Sequence, residues 1–378
     1  MELKYQLNVE NLRIGFEAKR AFFNGSGLGN YCRNIILALN RFYPNNKHFL
    51  FTPPCDGELF PEGKSDRIFP RGAERVFSSY WRHFKLGTTA QNHGLDVFHG
   101  LSNELPRDVL QTNATKIVTV HDAIFMRFPQ WYKWHDRWLY EQKVSFACQI
   151  SHAVVAVSEQ TKADLIEFFG VREEKIRVIY QPCHPIFEEA VTEEQKTAVK
   201  AKHQLPDRFV LMLSNIEERK NHLNAIKAIH YHEIDVPLVI VGRDSTYASH
   251  LKKYVAQHGL EHIHFHHDVS SADLPALYSL ASIFLYPSFF EGFGIPIVES
   301  LWCGTPVIAS NTSCFRETAG DAALFVDPHS VGEIAQAIKT LLSNERLQAQ
   351  MVEYGKTHIN RFSAEKIARQ LNDIYRQF

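Results

Sequence analysis

The sequence predicts an α/β protein made of two doubly wound parallel sheets, and three observations carry that prediction. Short apolar runs rich in Val, Ile and Phe alternate with amphipathic stretches along nearly the whole chain, which is the pattern of successive βα units. The alternation falls into two series, separated by a polar, charged and proline-bounded stretch at 182–206. A length of 378 residues is also long for one core, so two domains are expected.

The first series reads as a strand at 12–18, a glycine loop at 24–30, a helix at 31–41 and a strand at 48–51. Further strands are expected at 96–99, 117–121, 153–158 and 176–180, with a helix at 160–169. The stretch at 182–206 reads as a linker that has room for a short helix. The second series has strands at 209–214, 238–241, 263–266, 282–286 and 306–310. Helices are expected at 221–230, 249–257, from 272, at 296–303 and at 331–343, with a tail helix from 363. The expected division is 1–190, 191–360 and a tail helix, 361–378, that crosses back to the first domain. Ligands of doubly wound sheets bind outside the C-terminal ends of the strands, so two such domains imply a cleft between those ends.

Composition excludes several classes. Lys plus Arg (41) and Asp plus Glu (42) nearly cancel, leaving no field to recruit nucleic acid. A hydrophobic content of 45% with 12% aromatics fits a globular protein with a large core. The six cysteines form no CxxC pair and no metal spacing, and read as reduced thiols of a cytoplasmic protein. Residues 1–20 lack the apolar centre of a signal peptide, and no run of eighteen apolar residues occurs.

The most informative segment is Ser288-Phe289-Phe290-Glu291-Gly292-Phe293-Gly294-Ile295-Pro296-Ile297-Val298-Glu299. It follows a buried strand, bares amides at two glycines, and opens a helix at Pro296 that ends at Gly304. Loop amides and a helix N-terminus together favour a phosphate. Glu299, one turn into the helix, is acceptor-only, so its natural partner is a pair of hydroxyls. Phosphate donors beside diol acceptors describe a sugar-nucleotide site. Arg219 and Lys220 follow another strand and precede a helix, where fixed cations would stabilise charge on a departing diphosphate. Plainer readings stand beside these: a solvated basic pair, and a Glu299 that caps its own helix.

These motifs occur in one order. They are Ser26-Gly27-Leu28-Gly29-Asn30-Tyr31, Val118-Thr119-Val120-His121-Asp122, Val157-Ser158-Glu159-Gln160-Thr161, Glu218-Arg219-Lys220-Asn221, Glu291 through Glu299, and Gly304-Thr305-Pro306-Val307-Ile308-Ala309-Ser310. In that order the chain resembles the retaining glycosyltransferases of the GT-B fold, family 4, with two Rossmann-like domains. The resemblance covers nearly all of the chain, from Gly15 to the tail helix. It implies retaining transfer of a sugar from a nucleotide-diphosphate sugar to a hydroxyl acceptor, in surface-polysaccharide or glycolipid assembly, with no bound metal or other cofactor. Arg219 and Lys220 would bind the donor diphosphate, Glu299 the ribose diol, and Glu291 the transferred sugar. Gly292, Phe293 and Gly294 would offer amides to sugar or phosphate, and His121 would approach the donor sugar and leaving group. Gly27 and Gly29 would let the N-terminal loop come close to donor phosphate and acceptor. Gly242 is assigned to the donor side, and Asn103 and Asp122 to the acceptor side. The resemblance also implies front-face departure and attack, the leaving phosphate taking the acceptor's proton. Two other readings of the same architecture are a catalytically silent sugar-nucleotide sensor and a sugar-nucleotide epimerase.

Several features have blander readings. Gly27 and Gly29 do not make a dinucleotide fingerprint, because Asn30 fills the last glycine slot and no acid follows at the usual distance. His262, His264, His266 and His267 could hold zinc by alternation, but strand-edge histidines are the favoured reading. Trp131, Trp134 and Trp138 are expected on one helical face, either as core packing, the favoured reading, or as a membrane-interfacial face. The basic stretch Lys64, Arg67, Arg71, Arg75, Arg82 and Lys85 inclines toward an anionic surface, with a solvated loop as the plainer reading, which leaves a peripheral membrane contact of the N-terminal domain open. Ser214-Asn215 and Gln181-Pro182-Cys183 replace the family's usual glycine-containing turns at those places.

Overall fold

The computed structural model describes residues 11–55, 59–60 and 64–378. The reading of residues 1–20 as no signal peptide, and the start of the first domain at residue 1, thus fall partly outside the described residues. The chain forms two compact units, one of Met1–Pro182 with Ala364–Phe378, the other of Cys183–Ser363. Residues 183–190 therefore group with the second unit, not the first, and 361–363 stay with it.

The first unit holds strands β1 (Arg13–Glu17), β2 (Lys47–Phe51), β3 (Asp66–Ile68), β4 (Val97–Gly100), β5 (Thr115–Val120), β6 (Ala153–Ala156) and β7 (Ile176–Val178). They lie in the order β3-β2-β1-β4-β5-β6-β7, every pair parallel. The second holds β8 (Val210–Leu213), β9 (Leu238–Val241), β10 (Ile263–His266), β11 (Ile283–Tyr286), β12 (Val307–Ser310) and β13 (Ala323–Val326). Their order is β10-β9-β8-β11-β12-β13, again all parallel. Helices cover both faces of such sheets, so the central strands are apolar without alternation. Val97 and Phe98, and Ile283, Phe284 and Leu285, are all buried. The strand order reverses between β1 and β4 and between β8 and β11, which opens a crevice at each switch point.

Edge strands β3 and β13 were not expected. β3 is three residues long and carries Asp66 and Arg67, so it offers no apolar run to read.

The stretch expected to be a linker is packed structure. It contains a helix, Glu193–Lys202, opened by a capping box of Thr192 and Gln195. Lys202 and His203 both reach Asp273, at 2.7 and 2.9 Å, and Phe187 packs edge-on against Tyr278.

The glycine loop is also shorter than expected. A helix runs from Gly27 to Phe42 and takes both glycines into its first turn. A Cβ on Gly29 would stand 1.7 Å from the Asn24 carbonyl oxygen, whereas Gly27 faces open space. Close packing accounts for Gly29.

The three tryptophans do not share a helical face. Trp131 ends a short turn and stacks on Phe128, with ring centroids 4.4 Å apart. Trp134 and Trp138 lie on the helix Trp134–Ile150 and are 77% and 58% exposed, so core packing does not describe them. Arg82, read as part of the basic stretch inclined toward an anionic surface, is instead buried between Glu17 and Glu104 at 2.8 Å each.

The tail helix, Ala364–Tyr375, belongs to the first unit and packs on the helix Gly27–Phe42. Its buried face carries Ile367, Leu371 and Tyr375. The Tyr375 hydroxyl lies 2.7 Å from His99 Nδ1, and Asn372 Oδ1 accepts from Asn46 at 3.2 Å.

Candidate active site

In the second unit the β8–β11 switch point brings together loops far apart in sequence. After β8 the chain makes a short turn, Glu218–Lys220, and Asn221 then takes a left-handed conformation with φ +61°. Asparagine tolerates that region better than most residues, and here its side-chain amide is anchored besides. Asn221 Nδ2 donates to the carbonyls of Pro287, at 2.9 Å, and Pro328, at 2.7 Å. The Phe289 amide donates to the Arg219 carbonyl at 3.0 Å, so the loop after β11 is tied to the loop after β8. Gly294, at φ +87°, starts the helix Ile295–Trp302, and Pro296 occupies its first turn.

That stitching brings Arg219, Lys220 and Glu291 into contact. Arg219 Nη1 lies 2.7 Å from Glu291 Oε2 and donates to the Phe290 carbonyl at 2.8 Å. Lys220 Nζ lies 2.5 Å from Glu291 Oε1 and 3.0 Å from the Tyr286 hydroxyl, which itself donates to Glu291 Oε1 at 3.2 Å. Burial alone would push the Glu291 carboxyl up, but Arg219 and Lys220 outweigh it and hold it at about 2. Glu217, half-exposed, stands 3.7 Å from Arg219 on the outer side, so two cations and a buried carboxylate meet beside the first turn of a helix, a setting suited to a phosphate.

Glu299 lies on that helix and does not cap it. Its Oε2 accepts from the Tyr278 hydroxyl at 2.9 Å, and among the described residues Oε1 has no hydrogen-bond partner. Burial raises this carboxyl to about 7, with Tyr278 pulling the other way. One oxygen is fixed and the other is open, so the group can accept from a hydroxyl-bearing ligand.

The glycines and Phe293 serve the framework as well. The Phe293 ring packs edge-on against Phe362, with centroids 5.6 Å apart, and its carbonyl accepts from Thr318 at 2.6 Å. Gly292 joins Glu291 to Phe293 in the buried loop. Gly242 follows β9, donates its amide to the His266 carbonyl at 3.0 Å, and would place a Cβ 2.0 Å from the Ser214 carbonyl oxygen. His267 Nδ1 is 2.8 Å from the Gly242 carbonyl. Among the described residues no group of three or more His, Cys, Asp or Glu is placed to hold a metal ion, the histidine tract included.

In the first unit His121 follows β5 and is buried. Its Nε2 donates to the Leu101 carbonyl at 2.8 Å, its amide donates to Asn103 Oδ1 at 2.8 Å, and its carbonyl accepts from Thr161 Oγ1 at 3.1 Å. Asn103 has φ +62° and donates its own amide to the Thr119 carbonyl, so it holds the histidine backbone. Burial pulls the imidazole down to about 4, which keeps it neutral near pH 7. Asp122 turns the chain by accepting from the Ile124 amide at 3.1 Å. Beneath His121 runs a buried chain of polar groups, from Tyr375 through His99 and Thr119 to Tyr31. The Tyr31 ring meets the imidazole edge-on at 4.5 Å.

Sequence reasoning missed Tyr286, Tyr278 and the His99–Tyr375 pair. Tyr286 closes a central strand at its C-terminal end, which is a readable signal for a site residue. Tyr278 and Tyr375 lie on helices whose docking the sequence does not display.

Two family models match adjoining parts of the chain: Glycosyltransferase Family 4 over residues 25–185, and Glycosyl transferases group 1 over residues 193–358. The chain is 27% identical over 290 residues to O-antigen chain mannosyltransferase B of Escherichia coli, which covers 74% of each sequence. It is 30% identical over 227 residues to O-antigen chain mannosyltransferase RfbU of Salmonella typhimurium, covering 59% of this chain and 60% of that one. Among solved structures it resembles Anabaena Alr3699/HepE in complex with UDP and glucose, with a TM-score of 0.78 and 18% identity over 97% of this chain and 100% of the other. Two parallel-sheet units, the ordered motifs and both adjoining models make this chain a member of the group 1, family 4 glycosyltransferases, with the GT-B fold.

Proposed function

We propose that this glycosyltransferase moves a hexose from a nucleotide-diphosphate sugar to a hydroxyl of a growing surface saccharide, free or lipid-linked, with retention of anomeric configuration and without a bound metal. The observation that carries the reading is the Arg219–Glu291–Lys220 cluster beside the helix N-terminus, with Glu299 one turn further on. Arg219, Lys220 and the helix amides stabilise charge on the leaving diphosphate as the glycosidic bond to phosphate breaks. Glu291 fixes both cations and directs its remaining acceptor capacity at the sugar hydroxyls. Glu299 Oε1 takes the ribose diol. The acceptor hydroxyl bonds to the anomeric carbon on the face the phosphate leaves, and its proton passes to that phosphate. His121, neutral and held by Asn103, offers Nδ1 as an acceptor to the donor sugar, while Asp122 and Asn103 flank the acceptor. Gly27, Gly242, Gly292 and Gly294 belong to the donor side of this reading.

The mannosyltransferase relatives favour mannose as the sugar. The same reading places the enzyme in the cytoplasm, with peripheral contact between its N-terminal unit and a membrane. Incubation with nucleotide-diphosphate mannose or glucose and a saccharide acceptor, in the presence of a chelator, tests it. The expected product keeps the donor's anomeric configuration by NMR. An inverted product, chelator-abolished turnover, or a donor altered without transfer, as an epimerase would give, defeats it. Binding without turnover assigns the sensor role instead.

A further inference from the structure

The first unit carries a cavity of about 780 Å³ that the donor chemistry does not use, lined by β3, the turn Gly72–Arg75 and the helix Leu86–Gln91. Four permanent cations line it: Arg67, Arg71, Arg75 and Lys85. Glu74 is the one carboxylate among the lining residues, and Asp66 lies within electrostatic reach of His93 at the wall. Arg67 is fixed by the Phe22 ring, 4.8 Å from its guanidinium carbon, and by the Phe60 carbonyl at 3.2 Å. Arg71, Arg75 and Lys85 are exposed and make no ion pair among the described residues. Four cations facing a single lining carboxylate repel one another on balance, and an anion relieves that cost.

The chain between Arg75 and Lys85 adds a second, different feature. Trp81 and Arg82 turn inward and anchor the helix Ser78–Phe84. Val76 (79% exposed) and Phe77 (65%) stand just before it, and the helix itself exposes Tyr80 and Phe84, with ring centroids 5.4 Å apart. Exposed apolar side chains in such a group mark an interaction surface. A soluble phosphate would use the cations and leave these side chains without a role. An anionic lipid surface uses both, since cations meet its phosphates and aromatic rings enter the headgroup boundary.

We propose that this cavity receives the phosphate groups of an anionic membrane surface, with Val76, Phe77, Tyr80 and Phe84 entering the headgroup layer. The inference deepens the membrane contact proposed above by naming its site, and it does not depend on the donor assignments. A cavity of this size accommodates a phosphate with its attached group.

Flotation of the full chain with phosphatidylcholine vesicles, with and without phosphatidylglycerol, tests it. Binding is expected only with the anionic lipid. Arg71→Gln combined with Arg75→Gln should lower partitioning on the order of 30-fold. Phe77→Ser combined with Phe84→Ser should release the protein even from fully anionic vesicles, while thermal stability and sugar transfer to a soluble acceptor stay unchanged. Equal binding by wild type and charge variants overturns the site, as does binding that falls only in Trp134→Ser with Trp138→Ser; both outcomes keep the membrane contact. No flotation at all, with inorganic phosphate or pyrophosphate raising the melting temperature only when Arg71 and Arg75 are intact, replaces the lipid with a soluble anion. Concentration-dependent self-association lost in the Phe77 and Phe84 variant assigns the surface to a second copy of the chain.

Discussion

Glu291 is an acid held between two cations where little water reaches it. Removing one member of a buried charge cluster leaves the others without compensation, so Glu291→Ala should cost about 3–5 kcal/mol of stability. Inorganic pyrophosphate should restore part of the lost melting temperature, because it supplies charge to Arg219 and Lys220. Calorimetry showing an unchanged melting temperature would remove the cluster from this account. Glu299 has the opposite electrostatics. Its folded value of about 7 lies above the ordinary carboxyl value of 4.5, so its protonated form contributes stability that is complete below 4.5 and is lost as pH rises through 7. A diol ligand favours the ionised form, so donor binding should release a proton and tighten between pH 6 and pH 8. Titration calorimetry in buffers of different ionisation enthalpy reads that proton directly. Glu299→Gln should abolish the pH dependence, and a dependence that survives it argues against the ribose assignment. Both glutamates were legible in the sequence from residue type and spacing. Their opposite protonation behaviour was not, because burial sets it at Glu299 and the neighbouring Arg219 and Lys220 set it at Glu291, and both come from tertiary packing.

At the level of elements, glycines that look alike in sequence act differently. Gly29→Ala must displace the Asn24 carbonyl against the first turn of its helix and should cost several kcal/mol. Gly27→Ala faces open space and should stabilise the helix by up to about 1 kcal/mol. Thermal denaturation of both variants checks the contrast, and equal effects would undo the packing explanation. The strands were readable because both sheet faces are covered and each central strand is apolar throughout. Helix starts and the supposed linker were not, since polar residues on Glu193–Lys202 look the same whether the helix is free or docked through Val199 and Lys202. Trp134 and Trp138 misled for the converse reason: aromatic residues suggest burial, and nothing local says which side of a helix the sheet occupies. The tail helix makes a further prediction. Tyr375→Phe removes one end of the hydrogen-bonded chain beneath His121 and leaves His99 short of a partner, which should cost about 1–3 kcal/mol. Turnover should fall more than donor affinity, since the chain supports the imidazole and not the nucleotide. Equal losses in both would assign Tyr375 a purely structural part.

At the scale of the molecule, most of the described histidines and carboxyls with shifted values push stability in one direction as pH falls. His48 and His121 are held at about 4, and His99 and His222 at about 3, against 6.5 unfolded, chiefly by burial. A neutral buried histidine contributes stability that is complete above 6.5 and lost as pH falls toward its folded value. Glu291 and Glu104, each held at about 2 by neighbouring cations against burial, lose theirs between 4.5 and 2. The melting temperature should therefore decline steadily below pH 6.5 and steeply below 4.5, with Glu299 softening the first part. A flat profile from pH 7 to pH 4 would contradict the buried-neutral assignment of these histidines.

The first unit is discontinuous in sequence, closed by a helix that follows the entire second unit. During synthesis the ribosome therefore delivers β8 to β13 before it delivers Ala364–Tyr375. For that interval the groove on Gly27–Phe42 is uncovered, and His99 waits without Tyr375. A nascent chain paused before residue 364 would present a nearly finished second unit joined to an unfinished first one. Chaperone capture should concentrate on that half-built stage, and maturation of the His121 side should lag behind the Arg219–Glu291 side by the time needed to translate and dock one helix.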